Sequence, residues 1–172
     1  MDARVVQLMA DMPRVHVFDG PEQESSPNGV WFTHDTCYDL IARHCGAGMR
    51  TLETGIGIST ALFVMLGTHH TCVPPFQNEI DALARYLDEC GIDHDRVRFE
   101  QGWSDEVLPR LEPTPLDLVF IDGGYGFPSP TIDWYYAGSR LVPGGVLILD
   151  DRNLPAVAGL EAAGMIAQAI HH

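Results

Sequence analysis

The sequence predicts an α/β domain built on a doubly wound, mainly parallel sheet. Three observations lead there. Short apolar runs alternate with segments of helical periodicity from Thr33 to the end of the chain. One run, "LDLVFID" at 116–122, is almost continuously apolar, as suits a central parallel strand covered on both faces. A turn bearing two glycines, "TLETGIGIST" at 51–60, stands where the first strand hands over to a helix.

Before that pattern begins, residues 1–32 read as a short N-terminal piece and a loop. The loop, "GPEQESSPNGV", is rich in Gly, Pro, Ser and charge. Residues 33–172 read as one domain, and 172 residues suffice to bury a core. Thr33 is placed to cap a helix whose Cys37, Leu40, Ile41 and Cys45 share a face, and "CGAG" ends it. "MRTLET" is the first strand, and "STALFVMLG" a helix closed by Gly67. "HTCV" is the second strand. "NEIDALARYLDECG" is a helix with Ile80, Leu83, Leu87 and Cys90 on one side and Gly91 as its stop. "VRFE" is the third strand, and "SDEVLPRL" a short helix limited by Pro109. After the fourth strand come a helix "TIDWYYAGSRL", a turn "PGG" and a fifth strand "VLILDD". About twenty residues follow and read as helix, with Pro155 near the first turn.

Composition excludes several classes of function. The net charge is −14, from 24 acidic and 10 basic residues, so nucleic acid and anionic membrane surfaces are repelled. No apolar run reaches the roughly 18 residues of a spanning helix. The N-terminus has no basic start or long apolar centre of a signal peptide, and the four cysteines form no CxxC pair. A cytoplasmic protein with reduced thiols is expected.

The glycine turn is neither of two common phosphate-binding loops. A P-loop needs a lysine that is absent here, and the dinucleotide fingerprint needs glycine where Thr60 stands. The second strand also ends in Pro74 and Pro75, without the acid that would hold ribose hydroxyls. A nucleotide-dependent oxidoreductase is disfavoured on both grounds.

"ETGIGIST" resembles the first motif of the class I S-adenosylmethionine (SAM) methyltransferases. "LDLVFIDGGYGF" and "LVPGGVLILDD" are similar to the fourth-strand and fifth-strand motifs of their small-molecule O-methyltransferases. The resemblance runs from about Thr33 to about Leu154. It implies a Rossmann-like sheet of the methyltransferase type, here shortened after the fifth strand. It also implies methyl transfer to a small-molecule acceptor, at a hydroxyl. A fifth strand left as an edge points to a homodimer.

Site residues follow from the strand ends. Gly55 and Gly57 let backbone approach a ligand. Thr54 belongs to the same turn. Ser59 and Thr60 open a helix whose free N–H groups suit the SAM carboxylate, and Glu53 is an acid suited to its ammonium. Gln77 is a polar substitute for the missing ribose acid. Trp103 and Ser104 follow the third strand, where the family holds adenine; the alternatives are core for Trp103 and a helix cap for Ser104. Asp122, Asp150 and Asp151 gather at the ends of the fourth and fifth strands. The resemblance gives them a metal role, with Mg²⁺ as the suitable ion, and gives Asp122 a part in SAM binding and catalysis. Tyr125 and His34 are candidate bases. The alternative to an enzyme is a binding or assembly module that keeps the fold and has lost methyl transfer; Pro74, Gly124 and the shortened end favour it.

Overall fold

A computed structural model describes residues 1–16, 33–124 and 126–150. Five strands form one sheet: β1 (Arg50–Thr54), β2 (His69–Val73), β3 (Val97–Phe99), β4 (Leu116–Ile121) and β5 (Leu141–Leu149). Their order is β3-β2-β1-β4-β5, and every pairing is parallel. The order reverses beside β1, so the switch point lies between the carboxyl ends of β1 and β4. Open α/β sheets bind ligands at that edge.

Alternation along β4 shows how the two faces are filled. Leu118 and Phe120 join one cluster, while Val119 and Ile121 join the other. The larger cluster lies under α1 (Ala3–Asp11), α2 (Asp35–His44), α3 (Ile58–Met65) and α4 (Gln77–Glu89). The smaller one lies under α5 (Ser104–Val107), the 3₁₀ turn Leu108–Arg110 and α6 (Ser129–Asp133) with its π-helical continuation Trp134–Gly138. Helix α1 belongs to the main core: Val5 and Leu8 are fully enclosed, as is Val15 beyond it. Asp2 caps α1 by accepting from the Arg4 amide at 2.9 Å.

Three local expectations are corrected. The cap of α2 is His34 rather than Thr33. The Thr33 hydroxyl instead donates to Asp122 Oδ2 at 3.1 Å. "TIDWYYAGSRL" is not one regular α-helix, because it widens into a π turn at Trp134. The "PGG" turn is folded into β5 as an irregularity: Leu116 pairs with Leu141, yet Leu118 already pairs with Val146. The expected final helix lies outside the described residues. No described helix is long and apolar enough to cross a membrane.

Candidate functional site

Strand β1 ends in two neighbouring side chains that point to opposite faces, Glu53 and Thr54. Both are fully buried. On the Glu53 side, every oxygen has a partner. The Ser59 hydroxyl donates to Oε1. The Thr60 hydroxyl donates to Oε2 at 2.6 Å and accepts the Gly57 amide at 3.0 Å. His70 Nε2 lies 3.3 Å from Oε2. The direction of the remaining bonds follows by elimination. Thr68 donates to the Phe63 carbonyl and Thr51 donates to Thr68, so His70 Nδ1–H must donate to Thr51, 2.8 Å away. Phe63 stacks on the His70 ring at 4.4 Å.

Cys72 completes this network. Its thiol donates to the Gly55 carbonyl at 3.0 Å. Burial raises its pKa well above the usual thiol value, with the Glu53 charge adding to the effect. The donor atoms of Glu53, His70 and Cys72 lie within 4.8 Å of one another, a group that a metal ion could join. The hydrogen bonds already account for each of them, and the thiol is held protonated. The cluster therefore reads as the scaffold of the turn. Glu53, expected to face the ligand ammonium, has both its oxygens turned to Ser59, Thr60 and His70.

The two glycines of the turn differ. Gly55 has φ +102°, and a Cβ there would collide with the Asp122 carbonyl oxygen. Its amide donates to the Val73 carbonyl at 3.0 Å. Gly57 is extended backbone, and among the described residues a Cβ there would meet His16 Nε2 and Ser59 Oγ, each at 3.7 Å. Packing among the described residues demands glycine at 55 and does not demand it at 57. His16 was not singled out in the sequence. It lies beside Gly57 and shares a 2.8 Å bond through Nδ1 with the buried Glu79. A lone histidine in the short N-terminal piece carries no periodic signal that would mark it.

Asp122 follows β4, next to β1, and is partly exposed. Its amide donates to the Thr54 carbonyl at 3.1 Å, and its carboxylate accepts from Thr33. Asp150 follows β5 and donates its amide to the Ile121 carbonyl at 3.1 Å. The fields of both aspartates reach Cys37, whose thiol pKa is raised first by burial and then by Asp150 and Asp122. Asp151 and Tyr125, the other expected members, lie outside the described residues. The His34 side chain is 76% exposed and engages Thr36 and Asp35, as a helix cap does.

At the ends of β2 and β3 the surface is aromatic. Phe76 and Trp103 are exposed by 45% and 57%, and their rings meet edge to face at 5.8 Å. Trp103 is thus a surface residue, not core. The Pro74 carbonyl accepts the Gly102 amide at 2.9 Å, joining the two strand ends. Gln77 donates to Asp81 Oδ1 at 2.9 Å along the exposed face of α4. Ser104 sits in the first turn of α5, whose cap position is Trp103. A separate groove lined by Pro113, Pro115, Tyr136 and Arg140 lies at the amino ends of β4 and β5, away from the switch point.

Comparison with known proteins agrees with this arrangement. A family model described as a methyltransferase domain matches residues 44–152, more than half of the chain. A Mycobacterium avium protein named as a candidate O-methyltransferase is 34% identical over 126 residues, 69% of this chain and 54% of that one. The chain spans about half the length of the curated relatives it matches. Among solved structures, a Corynebacterium glutamicum protein superposes with a TM-score of 0.69 at 17% identity, covering 95% of this chain and 80% of its own. The S-adenosylhomocysteine (SAH)-bound methyltransferase of Podospora anserina does so at 0.65 and 17%, covering 96% and 80%. The chain belongs to the methyltransferase-domain family of the class I SAM-dependent methyltransferases.

Proposed function

We propose that the chain binds SAM at the switch point and transfers its methyl group to a hydroxyl of a small-molecule acceptor. The observation that carries this reading is the close approach of the glycine turn to the neighbouring strand end: Gly55 leaves no room for a Cβ against the Asp122 backbone, and the Asp122 side chain beside it is partly exposed. The O-methyltransferase name of the mycobacterial relative and the SAH in the Podospora structure support it.

The residues present fit such a ligand. The amides opening α3 and the bare Gly57 backbone suit a carboxylate. Asp122 suits the ammonium, a role that the buried Glu53 is not free to take. Phe76 and Trp103 offer an apolar wall for adenine. When bound, SAM supplies an electrophilic methyl group on a sulfonium sulfur. The work of the protein is to align the acceptor oxygen in line with that carbon and to exclude water. Asp150 stands beside Asp122 and would contribute a second carboxylate to a Mg²⁺ site, with Asp151 as the third.

Calorimetric titration of SAH with and without Mg²⁺, on the wild type and Asp122→Asn, tests this. Micromolar binding is expected, weakened at least tenfold by Asp122→Asn. An affinity that changes with Mg²⁺ in the wild type alone would support the metal. Binding with no turnover on any hydroxyl acceptor would support the alternative, a ligand-binding module. Pro74 and the engagement of Gln77 with Asp81 favour that reading, because they leave the ribose without an acid.

A further inference from the structure

The face of β1 opposite Glu53 holds a group that neither the fold nor the proposed chemistry uses. Asp133, at the end of α6, is fully buried, and neither of its carboxylate oxygens has a hydrogen-bond partner. The Thr54 hydroxyl oxygen is buried and unpartnered as well. The two meet beneath Gly123: a Cβ there would lie 3.2 Å from Thr54 Oγ1 and 3.3 Å from Asp133 Oδ2. Gly123 follows Asp122 directly, so this pocket is the floor of the turn that carries the ligand-facing carboxylate. Buried polar atoms are almost always paired, and orphans tend to gather at functional sites.

We propose that Asp133 is a positioning residue which, together with Thr54, supports the Asp122–Gly123 turn and, in its ionised form, adds a buried negative charge that favours the cationic sulfonium of SAM over the neutral sulfur of SAH. This rests on the reading of the site as a SAM cradle. Geometry supplies the argument, since a second carboxylate under the turn is shielded from solvent and acts through little screening. Burial raises the Asp133 pKa to about 6, opposed by the nearby hydroxyls of Ser104 and Thr54 and reinforced by Asp105 on α5. The ionised form is therefore reached within the ordinary working range. Asp122 above the turn and His16 beside Gly57 are the other ionisable side chains at this turn. The effect of Asp133 is the part that its own substitution removes.

The experiment measures the dissociation constants of SAM and SAH between pH 5 and 8 for the wild type, Asp133→Asn and Thr54→Val. The ratio of SAM to SAH affinity should rise about threefold to tenfold across pH 6 in the wild type. It should be flat in Asp133→Asn, and it should still rise in Thr54→Val, which keeps the carboxylate. A ratio that rises equally in Asp133→Asn, or is flat in the wild type, overturns the proposal while leaving the cradle intact. Failure of both ligands to bind the folded wild type overturns the cradle itself and this inference with it.

Discussion

Two sides of one strand end teach different lessons. Glu53 and Thr54 are adjacent, and both are completely buried. On the Glu53 side, Ser59, Thr60, His70, Thr51 and Cys72 form a network in which each donor has an acceptor. On the Thr54 side, a hydroxyl and a carboxylate face each other with no hydrogen bond completed. The first arrangement is what a scaffold needs, because fully paired polar groups fix one geometry. The second is costly to the folded state, as befits a group kept for the ligand rather than for stability. The satisfied side holds the glycine turn from below, and the unsatisfied side borders the loop that would meet the ligand.

The largest expected effect breaks the satisfied side. Glu53→Ala leaves two hydroxyls and a buried imidazole without their acceptor, and should cost about 3–5 kcal/mol. Urea denaturation would measure this, and a loss below about 1 kcal/mol would mean that the network relaxes and is no scaffold. Gly55→Ala comes next. It combines a positive φ with a collision against the Asp122 carbonyl, and should destabilise by about 2–3 kcal/mol in the same assay.

Asp133 should respond in the opposite direction. Its folded pKa, about 6, lies above the unfolded value near 3.8. The folded state therefore holds the proton more tightly, and stability falls as pH rises from about 4 to about 6. The penalty is complete above that window and absent below it. Asp133→Asn should accordingly stabilise the protein by up to about 3 kcal/mol at pH 8 and by much less at pH 4. Thermal melts across that range would show the difference. A gain independent of pH would mean that charge is not the cause. The smallest stability effect is expected at Trp103→Ala, where the side chain is 57% exposed. Its melting temperature should stay within about 2 °C of the wild type while SAH affinity falls about tenfold; an unchanged affinity would remove Trp103 from the adenine wall.

The difference between the two sides also explains what was legible in the sequence. Apolar runs disclosed the central strands, where burial on both faces demands them, and the alternation of short runs with helical segments and turn residues disclosed the edge strands β3 and β5. Glycines and strand-end aspartates marked the site, because backbone approach and charge are properties of residue type. The direction of a buried hydroxyl is not such a property. Ser59 and Thr60 were read through the amides of the helix they open, and nothing in their type showed that their hydroxyls turn inward to Glu53. His70 lies seventeen residues from Glu53, and only the parallel register of β1 with β2 brings them together. Asp133 was hidden within "TIDWYY", where its one signal was a charge on a helix of aromatic neighbours. Thr33 looked like a cap because its type suits one, and reaching Asp122 required a contact across 89 residues.

Gly57 is the most direct test of whether the turn after β1 is kept open for a ligand. Gly57→Ala places a methyl group in ordinary contact with His16 and Ser59, so the protein should fold and melt as the wild type does. SAH titration of the two proteins should give micromolar binding to the wild type and at least tenfold weaker binding to Gly57→Ala. Equal binding by both, or none by the wild type at millimolar SAH, would contradict the account.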